Sequence, residues 1–214
     1  MIEGALDQIG AVTREVATRE HRGRPARAVT ATQTYRAGVE EVWDAVTTAE
    51  RIPRWFLPVS GDLRPGGRYQ LEGNAGGEIL ECEAPRRLAV TWEYGGQVSW
   101  LTFTLTAADE EHTTLVLEHV LPLDERWEEF GPGAVGVGWD MGLLGLAKHL
   151  EGAPRLAPEE AMAWAASDEG REFMVRSNED WCRAGLEAGA DETEARAAAA
   201  RTLAAYTGGA EPSA

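Results

Sequence analysis

Between Arg68 and Leu121 the chain reads as strand-length segments joined by turns too short for a crossover. Pro65-Gly66-Gly67 precedes a segment from Arg68 to Glu72, and Gly73-Asn74-Ala75-Gly76-Gly77 makes a hairpin into Glu78 to Glu83. Pro85 introduces Leu88 to Tyr94, Gly95-Gly96 turns the chain into Val98 to Thr106, and Asp109-Glu110-Glu111 turns it into Thr113 to Leu121. Parallel strands need connections of about a dozen residues or more, so these segments are expected to form an antiparallel meander. Tyr69 and Leu71, then Leu88, Val90, Trp92 and Tyr94, then Leu101, Phe103 and Leu105, then Leu115, Leu117 and His119 recur at period two and define one face. The opposite face, with Arg68, Gln70, Thr91, Glu93, Thr102, Thr104, Thr114 and Glu118, is largely polar, as in a sheet wet on one side.

The apolar face needs a cover. Gly138-Trp139 opens an apolar helix bearing Trp139, Leu143, Leu144, Leu146, Ala147 and Leu150, and this is the candidate. Upstream, Ala28 to Tyr35 reads as a strand. Val39 to Phe56 holds a helix with Val42, Trp43 and Val46 on one side and a second helical turn from Ala49 to Trp55. Trp43 and Trp55 are assigned to the core, where these short helices seal one end of the sheet.

Two further regions flank this core. Residues 1–27 read as an amphipathic helix, because Ile2, Leu6, Ile9 and Val16 recur at helical spacing and Gly23 and Pro25 supply stops. Residues 153–214 form a helical extension: a short helix from Pro158 to Ala165, a longer one capped by Ser167, and an alanine-rich helix that starts after Asp191 and stops at Gly208-Gly209. This extension could cover the open face of the sheet, pack with the N-terminal helix, or exchange between two chains as a homodimer contact.

Composition narrows the partners. Twenty Lys and Arg against 36 Asp and Glu give a formal net charge of −16, a field that repels nucleic-acid backbones and anionic membranes. Cys82 and Cys182 lack the spacing of a zinc site or disulfide framework, so both are expected as free thiols in a reducing compartment. With no continuous apolar stretch of membrane-spanning length, the expectation is a soluble cytoplasmic protein.

Several short motifs then carry a resemblance. Val42-Trp43-Asp44-Ala45-Val46-Thr47, Arg54-Trp55-Phe56, the turn from Asp62 to Arg68, Gly77-Glu78-Ile79-Leu80-Glu81, Pro85-Arg86-Arg87-Leu88 with Thr91-Trp92, and Gly138-Trp139 through His149-Leu150 are similar, in this order, to the SRPBCC domain of the START, pollen-allergen and polyketide-cyclase superfamily. The branch they resemble is that of bacterial proteins related to the activator of the heat-shock protein 90 ATPase. The resemblance covers residues 28–152 and implies an α+β helix-grip fold, a curved antiparallel sheet wrapped around a long C-terminal helix with an apolar cavity between them.

Carried onto this chain, the cavity would be lined from the sheet by Tyr69, Leu71, Ile79, Glu81, Trp92, Tyr94, Leu101, Phe103, Leu117 and His119, and from the helix by Trp139, Leu143 and Leu146. The expected function is binding of an apolar small molecule, as carrier or sensor. A chaperone-linked interaction protein and a polyketide cyclase-like or hydrolytic enzyme are the alternatives. Glu81 and His119 either orient a ligand inside the pocket or, respectively, pair with an arginine at the rim and hydrogen-bond at a strand end.

Other chemistry is poorly signposted. No Gly-x-Ser-x-Gly elbow, HExxH or CxxC occurs, so no catalytic residue, metal or cofactor is assigned, although Glu81, His119 and Tyr94 could serve acid-base chemistry. Gly131-Pro132-Gly133-Ala134-Val135-Gly136 matches a dinucleotide fingerprint but follows a meander strand, and reads instead as a loop at the cavity mouth.

Overall fold

The computed structural model describes residues 2–208. Its eight strands form one open antiparallel sheet in the order β1-β2-β8-β7-β6-β5-β4-β3, and with seven α-helices this is the α+β helix-grip class. The strands are β1 (Thr13–His21), β2 (Arg24–Tyr35), β3 (Val59–Gly61), β4 (Arg68–Leu71), β5 (Gly76–Glu83), β6 (Arg87–Tyr94), β7 (Gln97–Ala107) and β8 (Thr113–Pro122). The helices are α1 (Ala5–Ala11), α2 (Val39–Thr47), α3 (Glu125–Phe130), α4 (Gly133–Leu150), α5 (Pro158–Ala166), α6 (Asp168–Glu187) and α7 (Glu192–Thr207).

The chain divides into two compact units. Among the described residues the first contains 2–31, 123–141 and 156–208; the second contains 32–122 and 142–155. The N- and C-terminal segments thus join with the first part of α4 in one unit, a different division from 1–27, 28–152 and 153–214.

In the first unit the reading of residues 1–27 as one helix is corrected. Only Ala5–Ala11 is helical, and the β-branched residues Thr13, Val16 and Thr18 lie in β1. Arg22 and Gly23, both at positive φ (51° and 75°), form the two-residue turn into β2, so Gly23 is a hairpin residue and not a helix stop. The loop expected at 131–136 is also corrected: Gly133 and Gly136 lie within α4, where the helix meets α6. A methyl group on Gly136 would sit 2.4 Å from the Trp181 ring, so these glycines serve close helix approach.

Helices α6 and α7 begin at side-chain caps. Ser167 accepts from the amide of Gly170, and Asp191 accepts from those of Thr193 and Glu194, satisfying donors that the first helical turn leaves open. Helix α6 lies against α1 and β1, which fits the pairing of the C-terminal extension with the N-terminal segment. Side chains of α7 reach three backbone carbonyls: Arg201 donates to Glu129, Thr202 to Phe130 and Tyr206 to Ala134.

In the second unit the meander follows the expected order, with β3 as an additional edge strand. Val42, Ala45 and Val46 of α2 are buried at helical spacing. The turn after α2 is fixed by Arg51, which donates to Asp44 and Glu41, and by Trp55, whose indole N–H donates to the Ala45 carbonyl at 2.8 Å. Residues 142–150 of α4 meet this turn at glycines. A methyl on Gly145 would lie 2.4 Å from the Trp55 carbonyl oxygen, whereas one on Gly142 would make ordinary contact with the Phe56 ring at 3.4 Å. Gly145→Ala is therefore expected to destabilise by about 1–3 kcal/mol through overpacking against backbone. Gly142→Ala should be neutral or gain up to about 1 kcal/mol of helix propensity. Urea unfolding of the two variants checks this, and equal costs would refute it.

Candidate functional site

Strand registers in the second unit assemble the inner face row by row. Leu105 opposes Leu115, Leu88 and Leu117 flank Phe103, and Val90 opposes both Ile79 and Leu101, which in turn opposes His119. The following row carries Tyr69 opposite Gly77 and Trp92 opposite Ser99. Leu71, Ile79, Leu101, Phe103, Leu117 and His119 are buried, as are Leu143 and Leu146 of α4. Trp139 is buried as well, in the part of α4 that belongs to the first unit.

Exposure rises toward one end of this face. Along β6, Val90 is buried, Trp92 is half-buried and Tyr94 is 52% exposed. Tyr69 is half-buried and crosses Gly77 to donate its phenol proton to the Thr91 carbonyl at 2.8 Å. A methyl on Gly77 would lie 2.0 Å from that same carbonyl oxygen, so glycine permits this close approach of β5 to β6. Burial holds the Tyr69 phenol well above its ordinary value, so it stays protonated as a donor.

The polar feature of this end is the pair formed by Ser99 and His119, with Ser99 Oγ 2.7 Å from His119 Nε2. Ser99 Oγ also lies 3.1 Å from the Trp92 carbonyl, and the tautomer of His119 decides which of the two partners takes the hydroxyl proton. Desolvation lowers His119 from its ordinary 6.5 to about 3, so the ring is neutral at physiological pH. The Trp92 ring stands edge-on to it, with centroids 6.0 Å apart.

Glu81 is the candidate that the structure places elsewhere. The register of β5 slips by one between Ile79, opposite Val90, and Glu81, opposite Ala89. Strict alternation from Ile79 turns Glu81 inward; the bulge turns it out, where its carboxylate is half-exposed and accepts from Arg87 at 2.8 Å. The structure thus has the arginine-paired Glu81 and the hydrogen-bonded His119. Gly77 and Ser99 were missed by sequence reasoning, although Ser99 shares the parity of Leu101 and Phe103 and was findable from alternation alone. Cys82 is exposed and Cys182 buried, both as free thiols. Among the described residues there is no group of three or more His, Cys, Asp or Glu able to hold a metal, and no helix is long and apolar enough to cross a membrane.

A curved-sheet α+β fold with an inner face of this kind defines a START-like protein of the SRPBCC superfamily. The chain belongs to the family described as Activator of Hsp90 ATPase homolog 1-like protein, whose model matches residues 36–151. It is similar to CalU16 from Micromonospora echinospora, with 36% identity and a TM-score of 0.68 to the solution structure, covering 84% of this chain and 97% of CalU16. The CalU16 likeness thus runs well beyond residues 36–151, so part of the flanking segments is shared with that protein. PFC0360w, an HSP90 activator from Plasmodium falciparum, is 25% identical with a TM-score of 0.51, covering 59% of this chain and 97% of its own. DynU16, from the dynemicin biosynthetic locus, is 27% identical with a TM-score of 0.52, covering 61% of this chain and 49% of its own. No curated protein matches the chain.

Proposed function

We propose that the second unit binds an apolar small molecule on the inner face of its sheet, at the end marked by Tyr69, Trp92, Ser99 and His119. The observation that carries this reading is the exposure gradient. Large aromatic side chains remain partly in water at this end of a face whose middle rows are buried, beside a buried hydrogen-bonded pair. Covering Trp92 and Tyr94 with a ligand would remove apolar surface from water at about 25 cal/mol per Å². Leu71, Ile79, Leu101, Phe103 and Leu117 would form the apolar floor, with Leu143 and Leu146 contributing from α4. Trp139 and Glu81 are left out of this site, the first because it belongs to the other unit and the second because it faces outward. Native mass spectrometry of gently purified protein tests the proposal. The expected result is a copurifying apolar adduct that Trp92→Ala reduces; an adduct unaffected by Trp92→Ala, or protein that takes up no apolar probe, would overturn it.

The likeness to an HSP90 activator supports a second reading, stimulation of a chaperone ATPase. It predicts a faster ATPase on adding this protein, with Trp92→Ala as effective as the native chain.

A further inference from the structure

Resting on the binding site proposed above, we infer that its ligand is an uncharged aromatic or alicyclic molecule, and that the site excludes carboxylates, sulfonates and phosphates of the same shape. Among the described residues of the second unit, the buried polar side chains are Gln33, Thr91, Ser99, Thr113 and His119. None of them is a carboxylate, an ammonium or a guanidinium. The nearby charges sit on the outer face in pairs: Arg68 with Glu93 at 2.6 Å, and Arg87 with Glu81 at 2.8 Å. Arg51 is held by Glu41 and Asp44 beside α2.

The bulge in β5 is what keeps this face neutral. It presents Ile79 inward opposite Val90 and turns Glu81, the next acidic residue of the strand, toward Arg87. An anion entering the site would lose its water with no cation to receive it, and a cation would find no carboxylate. What the site offers instead is the Ser99 and His119 pair and the faces and edges of Trp92 and Tyr69. His119 cannot supply the missing charge, since burial keeps its ring neutral far below physiological pH. These are contacts for a neutral aromatic or alicyclic ring system.

Two fluorescent probes with one skeleton separate the cases: N-phenyl-1-naphthylamine, which is neutral, and 1-anilinonaphthalene-8-sulfonate, which is anionic. Titrated into the full chain, the neutral probe is expected to bind about tenfold or more tighter than the sulfonate. The preference should persist in about 0.5 M salt, where repulsion by the net charge of −16 is screened. Trp92→Arg should narrow or invert the ratio by giving the sulfonate a partner, and Tyr94→Arg, at the more exposed end of β6, tests the same point if the first variant does not fold. Equal affinity for the two probes, or a preference that vanishes in salt, would overturn the neutral-ligand inference and leave the binding site standing. Binding of neither probe would overturn the binding site and this inference together.

Discussion

Replacing Arg14 by Met is expected to destabilise the first unit by about 3–5 kcal/mol, because it leaves the carboxylate of Asp140 buried without its counter-charge. Asp140 is 1% exposed, and its Oδ2 accepts from Arg14 Nε at 2.9 Å, from Trp181 Nε1 at 3.1 Å and from the Ser177 hydroxyl. The Arg14 side chain, 4% exposed, also donates to Asp180 and to the carbonyls of Ile9 and Val12, so one guanidinium joins β1, α4, α6 and the end of α1. Asp140 Oδ1 and Arg14 Nη2 are buried without partners, so the network is already incompletely satisfied. Burial pushes the Asp140 carboxyl above its ordinary value, with Arg14 pulling it back down. Without Arg14 the acid is expected to rise further and protonate, so the deficit of Arg14→Met should shrink as pH falls. The double variant Arg14→Met, Asp140→Leu should recover much of the loss, because an apolar pair of similar volume carries no desolvation penalty. Urea unfolding at two pH values reads all three effects, and a single variant costing less than about 1 kcal/mol at neutral pH would remove the network from any structural role.

The second large effect is acid sensitivity from His119. The unfolded chain takes up a proton on this ring below about pH 6.5, while the folded ring resists until about 3. The contribution to stability is therefore complete above the unfolded value and is lost as pH falls toward the folded one, by about 2–3 kcal/mol between pH 7 and 4.5. Asp140 acts with the opposite sign, since a carboxyl raised in the folded state gains relative stability on acidification. The comparison must therefore be between the native chain and His119→Gln, which keeps a hydrogen-bonding group for Ser99 and removes the titration. A flatter stability profile is expected for the variant, and identical slopes over this pH range would show that burial of His119 does not govern the acid limb.

The meander was legible because its turns are short and its inward residues keep period two from Leu88 through His119. Nothing local reports a bulge, however, and a single register slip at Leu80 was enough to move Glu81 from the inner face to an outer ion pair. The N-terminal misreading has a similar origin. Ile2, Leu6 and Ile9 satisfy a helical period, but Arg22 adopts a left-handed conformation that favours glycine or asparagine, so the turn carries no familiar dipeptide. Gly133 and Gly136 looked like loop residues because their reasons for being glycine, the Asn178 side chain and the Trp181 ring, lie far along the chain. The family motifs give the order of the core elements, while the buried Arg14 and Asp140 pair lies 126 residues apart and has no local signature.

The carbonyls reached by α7 carry a consequence for the order of assembly. Helix α3 has six residues, too few to persist as an isolated helix, and Arg201 and Thr202 receive the open carbonyls at its C-terminal end. Those donors are made 72 residues after the groups they satisfy. During synthesis the second unit has all of its residues once Arg155 has been added, whereas the first holds its N-terminal strand and α3 in waiting until α7 has emerged. Each new molecule thus passes through an interval in which the meander of the proposed binding unit can form while Asp140 lacks Ser177 and Trp181 and the end of α3 lacks its α7 donors.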